Sequence, residues 1–180
     1  MARKVFLPLS QRFSDRLEKP TAMAMRERLG GRLVSDAPVL GGARVLPLGA
    51  IVALAGSSEA RVSSDASTGG RLGVLLSLNG EVADVYVEHG IVKRTAAKLL
   101  AAHSGSSPGD LALVAKSVLV FARLIEGQRV EIERGPGDVI AGTLVEKCRY
   151  GAIVELDDRA LLGVGFRKIW PTSSTASSPS

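Results

Sequence analysis

From Gln128 to Pro171 the chain is cut into short apolar runs by tight-turn residues, and this punctuation restricts the fold more than any other feature. Val130-Glu131-Ile132 alternates, Gly135-Pro136-Gly137-Asp138 turns, Val139–Glu146 extends, Tyr150-Gly151 turns, Ala152–Leu156 extends, Asp157-Asp158 turns, and Leu161–Trp170 closes the set. Such runs are too short for stable helices, and their branched residues suit a pleated, half-buried surface. Roughly four or five strands joined by tight turns predict a small closed barrel, in which closure removes exposed edges.

The same texture appears upstream, from Ala43 to Arg94. Val45–Leu54, Arg71–Leu78 and Val82–Glu88 read as strands. Asn79-Gly80 between two of them predicts a hairpin, because a type I′ turn needs positive φ at both central residues. Gly56–Gly70 is polar and bounded by glycine, so it reads as loop with at most one short strand around Ala60–Val62. Gly49–Leu54 and Gly151–Leu156 agree at five of six positions, which we read as convergent strand composition in a chain rich in Gly, Ala and Val, the alternative being two related β units flanking a helical pair.

Three helices are predicted. Ala22, Met25 and Leu29 recur at helical spacing after Pro20-Thr21 and before Gly30-Gly31, giving a short helix over 21–29. Thr95–His103 is rich in Ala, Lys and Leu and is stopped by the Ser104–Ser107 cluster. In the third, Ser107 is placed as N-cap, Pro108 as first residue and Asp110 as acidic capping partner. Leu111, Val114, Val118, Phe121 and Ile125 form its stripe, and Gly127 sits at C′. The expected class is α+β and β-rich, with two central helices and a small SH3-like or Sm-like C-terminal barrel. The expected organisation is a basic leader with a short helix (1–32), a β-rich region with hairpin and helix (33–106), a helix plus barrel (107–171) and a disordered Ser/Thr/Pro tail (172–180).

With seven aromatic residues in 180 and 46% apolar composition, the core must be built from Val, Leu, Ile and Ala. Cys148 is the single cysteine, so no internal disulfide forms and a reducing, cytoplasmic setting is expected. No apolar run approaches the roughly 20 residues of a membrane-spanning helix, so no membrane partner is expected. The opening MARKVFLPLSQRF is interrupted by Pro8 and Ser10-Gln11-Arg12 before a secretory core is complete, and Asp15 and Glu18 argue against an organellar leader.

Charge is distributed unevenly. Residues 1–32 carry eight basic side chains (Arg3, Lys4, Arg12, Arg16, Lys19, Arg26, Arg28, Arg32) against Asp15, Glu18 and Glu27, whereas the remainder holds fifteen of each sign. A positive front end on a neutral body reads as an arm for a polyanion. Farther on, the turn Lys147-Cys148-Arg149-Tyr150 and the closing strand Arg167-Lys168-Ile169-Trp170 each set basic residues beside an aromatic, the pairing with which single-strand binders hold phosphate and stack a base.

Raw material for catalysis is scarce. His89 and His103 are the only histidines; His89 reads as a surface turn residue, and His103 as a complement to a helix C-terminus. Asp157-Asp158 reads as turn formers, and there is no P-loop, dinucleotide fingerprint or nucleophile elbow. The expectation is a non-enzymatic protein without metal or cofactor. Its expected nucleic-acid contacts are Arg3, Lys4, Arg12, Arg16, Arg26, Arg28, Arg32, Arg149, Tyr150, Arg167, Lys168 and Trp170, with DNA and RNA both left open.

Two resemblances bear on this. Gly127-Gln-Arg-Val-Glu-Ile132 through Gly142-Thr-Leu-Val145 to Ile153-Val-Glu-Leu156 resembles the first motif of Sm-like RNA-binding barrels over about a quarter of the chain. It departs in the base-gripping turn, where such barrels place an acidic residue and an Asn; here Arg149 and Gly151-Ala152 stand there, so the resemblance speaks to barrel geometry. Arg28-Leu-Gly-Gly-Arg32 and Asp65-Ala-Ser-Thr-Gly-Gly70 resemble the R-x-x-x-R and D-x-S-x-x-G motifs of PilZ domains, which implies cyclic di-GMP held by Arg28, Arg32, Asp65, Ser67 and Gly70. The two-helix segment that follows departs from a simple PilZ barrel. A third reading is a structural or assembly subunit, a homo-oligomer whose arm neutralises packaged nucleic acid.

Overall fold

Ten strands, short and rich in branched residues, divide between two five-stranded antiparallel sheets in the computed structural model, which describes residues 14–33, 46–54, 71–79, 81–87, 90, 92–96, 100–103, 105 and 109–173. The chain separates into two compact units, one made of 1–33 with 120–180 and the other of 34–119. The molecule is thus α+β and β-rich with few helices, as expected. No helix among the described residues is long and apolar enough to cross a membrane.

In the first unit, a four-residue helical turn α1 (Ser14–Leu17) precedes α2 (Pro20–Arg28). Proline suits the first turn of α2 because its missing N–H has no intrahelical partner there. Gly30 and Gly31, both at positive φ, end the helix by donating to Glu27 O (3.0 Å) and Arg26 O (2.9 Å). The leader helices bury Leu17, Ala22 and Leu29 in a cluster with Val145, Cys148 and Ile153, flanked by Met25 and Leu161. Spacing had marked Ala22, Met25 and Leu29, and all three meet this core.

The sheet of this unit runs β10-β6-β7-β8-β9, from β6 (Arg129–Gly135), β7 (Asp138–Lys147), β8 (Gly151–Leu156), β9 (Leu161–Gly165) and β10 (Ile169–Pro171). The single strand expected over Leu161–Trp170 is broken by a 3₁₀ turn, Phe166–Lys168, that carries the chain from β9 round to β10, which pairs with β6. The ladder is open: hydrogen bonding ends at β9 on one side and β10 on the other. A bulge in β7 between Leu144 and Glu146 lets Leu144, Val145 and Glu146 all be buried, which strict alternation would forbid.

The second unit holds the sheet β4-β3-β2-β1-β5: β1 (Ile51–Leu54), β2 (Arg71–Asn79), β3 (Val82–Tyr86), β4 (Val92–Ala96) and β5 (Leu100–Ala102). Its core is Val52, Leu75, Ala83, Val85 and Val87. The β2–β3 hairpin forms with Asn79 opposite Val82. The helix expected over Thr95–His103 is corrected: Val92–Ala96 pairs with β3, and Leu100–Ala102 pairs with β1. Unpaired N–H and C=O groups along β3 and β1 reward a neighbouring strand more than Ala, Lys and Leu reward a helix. Among the described residues one central helix therefore stands where two were expected. The near-identical segments at 49 and 151 supply β1 and β8, one strand in each sheet.

That helix, α3 (Gly109–Arg123), buries Leu111, Val114, Val118 and Phe121. Ile125, read as the stripe's last member, is instead 67% exposed, and Leu124 is buried in its place. The helix has ended, and Leu124 N–H bonds to Phe121 O at 3.1 Å, a tighter turn that rotates the following side chains off the helical stripe. The expected cap residues Ser107 and Pro108 lie outside the described residues.

Candidate nucleic-acid interface

The cations of the leader fall into two groups. Arg26 grips Glu146 with two bonds, Nε to Oε1 at 2.7 Å and Nη2 to Oε2 at 3.1 Å, and Glu146 is 1% exposed. Hydrogen bonding to that carboxylate, more than burial opposes it, raises the Arg26 pKa above its ordinary value. Arg16 pairs with Glu155 on β8 and also reaches the Arg159 carbonyl. Arg16 and Arg26, expected as phosphate contacts, are thus engaged inside the fold. Arg28 and Arg32 form no ion pair among the described residues, and both side chains are exposed. Arg3, Lys4 and Arg12 lie outside the described residues.

Backbone bonds bring the second group to the basic-aromatic turn. Leu33 N–H donates to Lys147 O (2.9 Å), Arg149 N–H to Gly31 O (3.1 Å) and Tyr150 N–H to Leu29 O (3.0 Å), while Arg32 bridges Cys148. Tyr150 O in turn accepts from Phe166 N–H at 2.9 Å, at the head of the 3₁₀ turn that carries Arg167 and Lys168. Segments 29–32 and 148–150 therefore lie side by side, and the 3₁₀ turn joins them at Phe166. The half-buried Tyr150 ring rests on Gly30, where a Cβ would come within 2.5 Å of Cε2. The Arg28 guanidinium lies over Gly163 of β9, its Nη2 3.1 Å from where a Cβ would stand.

Not every expected contact joins this edge. Trp170 donates its indole N–H to Glu131 on β6 at 2.9 Å, so its polar tip is engaged on the β10 side of the sheet. Arg149 and Arg167 make further contacts of their own within the chain. Asp65, Ser67 and Gly70, the acidic-serine half of the cyclic di-GMP motif, lie outside the described residues, as does His89.

Two neighbours of the edge, Lys147 of the basic-aromatic turn and the lone Cys148, take roles inside the fold. Lys147 donates from Nζ to the carbonyls of Phe121, Ala122 and Leu124 at 3.0, 3.2 and 2.9 Å, capping the C-terminus of α3, and sits 4.9 Å from the Phe121 ring centroid. Burial pulls its pKa below the usual 10.5. Cys148 is fully buried beneath the leader; burial first, and Glu146 second, push its thiol up to about 12. Glu146 itself was unmarked in the sequence except as a carboxylate closing an otherwise apolar strand. Among the described residues no three His, Cys, Asp or Glu side chains gather as metal ligands.

No protein-family model matches the chain, and no curated protein matches it in sequence.

Proposed function

We propose that the protein is a non-enzymatic nucleic-acid-binding protein that holds a phosphate backbone along the edge formed by Arg28, Arg32, Arg149, Arg167 and Lys168, with Tyr150 among them. What supports the reading is the backbone hydrogen bonding of 29–33 to 147–150 and of Phe166 to Tyr150, which joins three basic segments of the chain at one turn. Such an edge releases counterions when it neutralises phosphates, and a ring in its midst favours an unpaired base. We further read the C-terminal sheet as a small SH3-like barrel, a reading supported by the 3₁₀ turn that returns the chain from β9 to the partner of β6. Arg16, Arg26 and Trp170 serve the fold in this proposal.

The experiment is fluorescence anisotropy of single-stranded DNA and RNA oligonucleotides titrated with the full chain across a range of salt. Each cation laid on a single strand steepens the log–log slope by about 0.7, so Arg28→Ala with Arg32→Ala should make it shallower by about 1.4. An unchanged slope in that variant, or no binding at low salt, overturns the proposal.

A further inference from the structure

The edge is composite. Its Arg28 and Arg32 come from the leader, and its other residues from the far end of the chain; Arg26 and Glu146, the pair beneath the join, are 120 residues apart in sequence. Resting on the binding reading above, we infer that leader docking and polyanion binding are coupled, with Arg26 on Glu146 as the contact that positions the leader's arginines against Arg149 and Tyr150.

Three observations carry this. The join at 29–33 against 147–150 consists of a few backbone bonds and one bridge over the apolar cluster of Leu17, Ala22 and Leu29 with Val145, Cys148 and Ile153, and apolar packing holds the leader down without fixing its direction. Below it lies one two-pronged ion pair whose carboxylate is buried at a bulge, and a two-pronged pair fixes orientation as well as distance. Docking also brings Arg28 and Arg32, which form no ion pair among the described residues, to the basic turn at 147–150, and a polyanion laid across them offsets the repulsion between them. A ligand that binds the docked state more tightly must stabilise docking by the same factor.

Cys148 reports docking without any nucleic acid, because it is 0% exposed in the cluster with Leu17, Ala22 and Leu29 and becomes reachable when the leader lifts. The measurement is the rate of Cys148 alkylation by iodoacetamide in the full chain, with and without a single-stranded oligonucleotide, alongside the salt slope of binding. In the wild type, saturating oligonucleotide should slow alkylation about tenfold. Glu146→Gln should lower affinity, with a slope as shallow as that of the Arg28→Ala, Arg32→Ala double variant, and should speed alkylation of the ligand-free protein beyond the gain in thiolate that loss of this carboxylate brings, read from the pH dependence of the rate. The paired replacement Arg26→Met, Glu146→Leu fills the same space with apolar contact and should restore both protection and slope.

If the wild type binds but its alkylation rate ignores the oligonucleotide, the coupling is wrong while the binding reading stands. Faster alkylation of Glu146→Gln at unchanged affinity and slope has the same meaning. If the wild type does not bind, the binding reading itself falls, and the coupling with it. The ligand-protection arm needs no variant, so misfolding of Glu146→Gln, visible by circular dichroism, would leave that arm decisive.

Discussion

At Cys148 a single side chain links burial to stability. Its thiol holds its proton up to about 12 in the fold against an ordinary 9.0, because burial disfavours the thiolate and Glu146 adds repulsion. Between those values the folded state binds the extra proton, so stability falls as pH rises; below about 9 the contribution is fully present. Urea denaturation of wild type and Cys148→Ala should therefore show the wild type losing ground to the variant as pH climbs from about 9, and a constant difference between them would refute the assignment. The same residue shows how far sequence reading reaches. A lone cysteine announces the absence of a disulfide, but its position under the leader depends on Leu17, Ala22 and Leu29, which are remote in sequence.

At the scale of elements, glycine spacing governs how closely strands approach. A Cβ on Gly151 would stand 2.0 Å from Val164 O and 2.9 Å from the Leu29 side chain, between β9 and the leader. Backbone cannot yield there as a side-chain tip can. Gly151→Ala should therefore lower unfolding free energy by about 3 kcal/mol, read from chemical denaturation, whereas Gly135→Ala, with nothing within 4 Å, should change it by less than about 1 kcal/mol. Most strands were legible because their signals are local: alternation, branched residues and turn glycines mark a strand within its own few residues. Val92–Ala96 and Leu100–Ala102 were not, because the reason they extend lies in the open edges of β3 and β1. Likewise the β7 bulge, which buries Glu146, follows from pairing with β8 and leaves no mark in β7 alone.

For the whole molecule, the leader is as much core as arm. Residues 14–29 cover Val145, Cys148, Ile153 and Leu161, so deleting 1–33 uncovers a contiguous apolar face. That truncation should shift the protein toward larger species in light scattering, and an unchanged size would contradict this packing. By itself the sequence determined the β-rich class, most strand and turn positions, the helices at Pro20 and Gly109, and the concentration of cations at the front, since each is a property of neighbouring residues or of composition. Tertiary structure alone decided which cations face solvent. Arg26 and Arg28 are two positions apart on one short helix, yet one is held by a buried carboxylate and the other is exposed. The difference arises because ion pairing depends on what the fold brings within about 3 Å, and a partner 120 residues away has no local signature.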